Sequence, residues 1–162
     1  MSTYNTAVNS TEEAIKIFQS LGVDDQLAWL WYIYEKMGNS ITPAAPGAAS
    51  PKIAEGLYEQ VKQKSQNEQL ETMRSLARHD GENIISREYG SLSSDTKLAF
   101  WYALALGMSK GDIVGMPSDY DFGQSGQELL AATETMDFES QITLLRNAVE
   151  PMGAEPKPGA AV

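Results

Sequence analysis

The sequence contains no cysteine. Disulfide staples, thiolate nucleophiles and Cys-ligated metals are therefore excluded, and the composition fits a reducing compartment. Histidine occurs once, at His79, so no site with two imidazole ligands can be assembled. His79 ends a helical stretch, where the helix dipole favours a cation, and no acidic or hydroxyl partner is spaced to make it catalytic. No apolar run approaches the roughly 20 residues that cross a bilayer, so stable membrane insertion is not expected. Met1 to Thr6 lacks the basic and apolar regions of a secretory leader. Positive charge is scarce: 12 Lys and Arg against 22 Asp and Glu give a formal net charge of −10. Such a field repels phosphate backbones and excludes nucleic acid as a partner. Phosphate-cradling glycine motifs and the Gly-x-Ser-x-Gly elbow are missing. Glu12-Glu13 and Asp24-Asp25 sit in first helical turns as dipole partners, and Glu134 and Glu139 flank a solvated turn. No carboxylate pair is placed to share a cleft, so the chain reads as a non-enzyme without a metal site.

No strand signal is present either, and what remains is helical. Asp24 to Gly38 reads as a helix that is apolar nearly all round. Leu27, Leu30, Trp31 and Tyr34 follow the i, i+3, i+4, i+7 spacing, while Trp29, Tyr32 and Ile33 cover the other faces. A helix without a solvated face is buried on several sides. Lys97 to Gly107 repeats the recipe, with Leu98, Trp101, Tyr102 and Ala105 at the same spacing. Leu27-Ala-Trp29 and Leu98-Ala-Phe100 align 71 residues apart, and the stretches Gln69 to Arg74 and Gln141 to Arg146 align 72 residues apart. Two separate pairs at nearly one offset point to an internal duplication. The expected architecture is all-α: two four-helix halves related by a pseudo-two-fold, enclosing a long apolar ligand channel.

Helix signals divide the chain. Residues 1–9 form a flexible N-terminal arm, residues 10–152 one all-helical domain, and residues 153–162 a flexible Pro/Gly/Ala-rich tail. Capping boxes open helices at Ser10, Ser65 and Ser125. Ser50-Pro51 starts another. A short helix runs from Glu82 to Tyr89, Ser93 or Ser94 caps the second aromatic helix, and Asp137 caps the last, which Pro151 stops. Lys110 to Gly123 has little periodicity and reads as a loop. Asn39 to Ala49 is rich in Pro, Gly and Ala, and is either a plain linker or a small-residue wall that lets backbone approach a ligand closely. The aromatic stripes also leave two readings, a solid core or the lining of a slot. Two such helices of about 15 residues span roughly 20 Å. With Met37, Met73, Met108 and Met116 as adaptable contacts, the slot would suit a long, flat, conjugated hydrocarbon.

Asp24 to Gly38, Ile41-Thr-Pro-Ala-Ala-Pro-Gly-Ala-Ala49, Lys97 to Tyr102, Tyr120 after Pro117, and Gln141-Ile-Thr-Leu-Leu-Arg-Asn147 closely resemble the N-terminal, carotenoid-binding domain of the cyanobacterial orange carotenoid protein. The likeness covers about residues 10–153 and is of the stand-alone kind, the helical carotenoid proteins. It implies a ketocarotenoid cofactor, canthaxanthin, echinenone or a relative, threaded between the two halves. On that resemblance Asp24, Leu27, Leu30, Trp31 and Tyr34 bind pigment from the first aromatic helix, and Gly47 from the small-residue loop. Met73 and Leu76 follow from the helix after Ser65, and Leu98, Trp101, Tyr102 and Ala105 from the second aromatic helix. Met116 and Tyr120 follow from the irregular loop, and Thr143, Arg146 and Val149 from the last helix. Asp24 stands where photoactive members carry Glu, Ala105 replaces a glycine and Met116 an isoleucine, which bears on pigment colour rather than binding.

The resemblance further implies photoprotection by quenching of singlet oxygen and of phycobilisome excitation. It places the protein in the cytoplasm, as a monomer, at the antenna or the thylakoid surface. Without the second domain that pairs with Arg146 in the full-length family, light-driven opening is not expected. Two other functional readings stand beside this one. One is a soluble carotenoid carrier exchanging pigment with a C-terminal-domain homologue; the other is a ligand-free helical interaction module.

Overall fold

The structure is a computed structural model and describes residues 10–37, 51–81 and 83–154. The arm, the small-residue loop with Gly47, and residues 155–162 lie outside the described residues. Among the described residues there are eight helices and no strand: α1 (Thr11–Ser20), α2 (Val23–Met37), α3 (Pro51–Lys62), α4 (Gln66–Ala77), α5 (Ile84–Gly90), α6 (Ser94–Lys110), α7 (Gln124–Glu134) and α8 (Phe138–Val149).

Local chemistry sets most boundaries. The Ser10 hydroxyl accepts from Glu13 N at 3.0 Å. Ser65 and Glu68 close a reciprocal capping box, which holds the Glu68 carboxyl below its usual range through its bonds to Ser65. The Asp137 side chain caps α8 by accepting from Ser140 N at 2.8 Å, and its carboxyl is lowered by that bond. Helix α6 ends at Gly111, in the left-handed region at φ 87°, where Asp112 N and Gly111 N donate to the carbonyls of Gly107 and Met108. The box expected at Ser125 does not form. Helix α7 opens two residues earlier, with Gly123 as an N-cap that makes no side-chain bond. Tertiary contact fixes that entry: a Cβ on Gly123 would meet an Asp25 carboxylate oxygen at 2.6 Å, and one on Gly126 the Phe122 ring at 2.3 Å.

Gly153 and Ala154 are docked rather than free. Gly153 N donates to Leu76 O at 2.8 Å and Ala154 N to Ser86 O at 3.0 Å. Both residues are buried, so the packed unit extends beyond Met152 to at least Ala154.

The helices do not pack as two separate sequence halves. Helices α1 and α2 lie against α7, and α1 also against α8, while α5 and α6 lie against α3, and α5 also against α4. The cross-contacts are α2 with α4, α6 with α8, and α2 with α6. When the first four helices are exchanged for the last four, the pairing of α2 with α6 maps onto itself and each of the others named maps onto another of them. Side chains repeat with them. Phe18 packs on Trp29 with ring centroids 5.2 Å apart, and 71 residues on Tyr89 packs on Phe100 at 5.6 Å. Arg74 pairs with Asp24 at 2.9 Å, and Arg146 with Asp95 at 2.6 Å. Gln69 donates to the carbonyl of Lys62 at the end of α3, and Gln141 to that of Thr133 near the end of α7.

Candidate functional site

A cleft of about 400 Å³ separates α2 from α6. Its wall from α2 carries Asp24, Leu27, Leu30, Trp31 and Tyr34, and its wall from α6 carries Leu98, Trp101, Tyr102 and Ala105. Met73 closes one side from α4, and Met116 and Tyr120 close an end from the loop before α7. Twelve of the seventeen residues that the resemblance assigns to the pigment thus converge on one apolar space, joined by Met108.

Of the other five, Gly47 lies outside the described residues and four do not line the cleft. Leu76 and Val149 are fully buried in the core and do not line the cleft. Thr143 is exposed on α8, and Arg146 lies at the surface against Asp95. The wall that α8 does contribute is Leu145, the residue 72 positions after Met73, so the duplication carried a signal for it. Arg74 also lines the cleft, and it too sat in the duplicated stretch. Val114, Gly115 and Pro117 line the cleft from an aperiodic loop that gave no such signal.

The rings are set by packing and by hydrogen bonds. Trp31 stacks on Tyr34, with centroids 5.5 Å apart, and Tyr34 meets Tyr102 edge-on at 5.6 Å. A continuous aromatic line therefore crosses from α2 to α6. Trp101 Nε1 donates to the Tyr89 hydroxyl at 2.9 Å, which donates onward to the Val149 carbonyl at 2.6 Å. Burial pushes the Tyr89 hydroxyl far above its ordinary pKa, so it stays a neutral donor and fixes the Trp101 ring edge.

The loop is pinned at both ends. Buried Gln69 donates to Asp112 O at 3.2 Å and accepts from Val114 N at 2.8 Å. The Tyr120 hydroxyl donates to Asp25 at 2.6 Å. Burial first, then that bond and the charges of Asp25 and Asp24, raise the Tyr120 pKa above its ordinary 10.0. A raised folded-state pKa gives stability that is complete below pH 10.0 and is lost as pH rises toward the folded value. Tyr120→Phe is therefore expected to lower Tm near neutral pH and to flatten its alkaline decline. Melting curves of both proteins from about pH 8 to about pH 11 check this. Parallel curves would remove Tyr120 from the alkaline transition.

Near Tyr120, Arg74 Nε and Nη2 donate to the two Asp24 carboxylate oxygens at 2.9 and 3.2 Å, a planar fork-to-fork pair. Among the described residues no group of His, Asp and Glu is arranged to hold a metal ion, and no helix is long and apolar enough to cross a membrane.

An all-helical chain with internally repeated contacts, wrapped round one aromatic-walled apolar cleft, defines a binding protein for an extended apolar ligand. The chain belongs to the family described as orange carotenoid protein, N-terminal, whose sequence profile matches residues 4–155. It is 52% identical over 150 residues to an orange carotenoid-binding domain-containing protein of Nostoc sp., covering 93% of this chain and 85% of that one. It is 36% identical to the orange carotenoid-binding protein of Limnospira maxima, covering 91% of this chain but 46% of that one, so the chain spans about half of that relative's length. Among solved structures it is similar to the Red Carotenoid Protein of Anabaena (Nostoc) sp. binding canthaxanthin. The identity there is 46% and the TM-score 0.81, with 90% of this chain and 99% of that one covered.

Proposed function

We propose that the chain binds a ketocarotenoid such as canthaxanthin in the cleft between α2 and α6, and serves photoprotection by quenching singlet oxygen and antenna excitation. The observation that carries this reading is the line of rings Trp31, Tyr34 and Tyr102, which spans two repeated helices along an apolar space. The canthaxanthin in a structure of the same fold supports it. A pseudo-two-fold between the sequence halves accounts for the repeated pairs. The photophysics belongs to the polyene, and the protein supplies a shaped, dry slot.

Constitutive rather than light-switched binding is part of the proposal. Arg146, which the full-length family pairs across domains, is satisfied within this chain by Asp95 at 2.6 Å. The phycobilisome and a C-terminal-domain homologue are the proposed partners, the first receiving protection and the second exchanging pigment. The test is protein made in a ketocarotenoid-producing host. Coloured protein is expected, with one main visible band that is unchanged after strong blue light. Colourless protein would refute pigment binding, and a reversible band shift would refute constitutive binding. Rapid transfer of the colour to an acceptor protein would favour the carrier reading over static quenching.

A further inference from the structure

Among the described residues, charge reaches the cleft only at Asp24 and Arg74. Asp24, Arg74 and Tyr120 line both the cleft and an adjoining open polar groove, whose other walls include Asp25, Glu71 and Arg78. These three residues are the rim between a dry interior and water. Tyr120 is committed to Asp25. Arg74 is only partly committed: Nε and Nη2 hold Asp24, while Nη1 lies 4.0 Å from Glu71, outside hydrogen-bond range. Among the described residues Nη1 donates to nothing. The two bonds to Asp24 lock the planar guanidinium, so the remaining donor is held in place before any ligand arrives. The side chain is 35% exposed, which leaves it hydrated at the groove and in contact with the cleft. The related pair Arg146 and Asp95 is joined through Nε alone, and neither of those residues lines the cleft. Among the described residues that line the cleft, Arg74 is the one cation.

We propose that Arg74, oriented by Asp24, is a specificity-determining residue: its unused N–H donates to a carbonyl oxygen on the terminal ring of the ligand. A long conjugated ligand would then bind in one direction, with an oxygenated end at the Asp24–Arg74 rim. The inference rests on the carotenoid reading above, since it assigns the ligand's end group and its direction. A ketone suits the site because it offers an acceptor and no competing donor, and a hydrocarbon end would strip water from the guanidinium without replacing it.

Wild type and Arg74→Met are to be produced in a host that makes canthaxanthin and β-carotene in comparable amounts, and the bound pigments extracted and quantified. Wild type is expected to enrich canthaxanthin by about tenfold over the supplied ratio, the value of one charge-assisted hydrogen bond net of hydration. In Arg74→Met the ratio should fall to near that supplied. The carbonyl stretch of bound canthaxanthin gives an independent readout. One of its two carbonyls should be lowered in frequency in wild type and the other not. Equal enrichment in both proteins, or two unshifted carbonyls in wild type, overturns the proposal. If Arg74→Met fails to fold or takes up no pigment, the wild-type carbonyl band decides alone. A wild type that takes up neither pigment overturns carotenoid binding itself, whereas pigment bound without discrimination overturns only the role of Arg74.

Discussion

Replacing Trp29 with alanine is expected to destabilise the ligand-free protein by about 3–5 kcal/mol, the range for emptying a buried aromatic site. Trp29 is fully buried and its ring lies 5.2 Å from Phe18. It packs on Phe18 of α1 and does not line the cleft. No ligand fills the hole that truncation leaves, so the loss should appear with or without pigment. Trp29 Nε1 is buried without a hydrogen-bond partner among the described residues, which costs stability in the wild type. The repeat-related position is Phe100, also fully buried, against Tyr89. Trp29→Phe should consequently cost far less than Trp29→Ala, since it removes the orphaned N–H and keeps a ring. Urea unfolding of the three proteins checks this. Equal losses for both variants would refute the account of the site.

Trp101→Ala is expected to behave in the opposite way, with a large loss of pigment and a modest loss of stability. The Trp101 side chain is nearly buried, but part of its surface faces the cleft, so its removal enlarges an existing space more than it creates a new one. Its partner Tyr89 keeps the bond to the Val149 carbonyl at 2.6 Å after truncation, so no buried hydroxyl is stranded. The apo variant should therefore unfold at a urea concentration clearly above that of Trp29→Ala. Expressed beside a ketocarotenoid pathway, it should hold much less pigment than wild type, or hold it with a displaced visible band. Destabilisation as large as that of Trp29→Ala, with occupancy and spectrum unchanged, would make Trp101 a core residue only.

Trp29 and Trp31 show where sequence reasoning stops. They lie two residues apart on a helix that is apolar nearly all round, and periodicity cannot rank the faces of such a helix. Only the neighbours decide that Trp29 joins the core while Trp31 joins the cleft wall. The same limit explains the last helix. Thr143 and Val149 were attached to the site by resemblance, yet the rotation of α8 presents Leu145 to the cleft, exposes Thr143 and buries Val149. Lys97 is a further case. A lysine in the first turns of a helix reads as solvated, but here its side chain is 4% exposed. Its ammonium donates to the Glu150 carbonyl at 2.7 Å and lies 5.4 Å from the centre of the Tyr89 ring.

Sequence alone determined the helical class, most of the helix boundaries and the two aromatic helices, because each rests on local spacing or local capping. Absence of cysteine did the same for disulfide and thiolate chemistry. Tertiary structure alone decided which aromatic faces meet. It interleaved the helices of the two repeats, moved the start of α7 from the Ser125 box to Gly123, and brought Arg74 to Asp24 across 50 residues of chain. These depend on how whole helices rotate and pack against one another, a balance of contacts among side chains distant in sequence, which no local pattern of residues encodes.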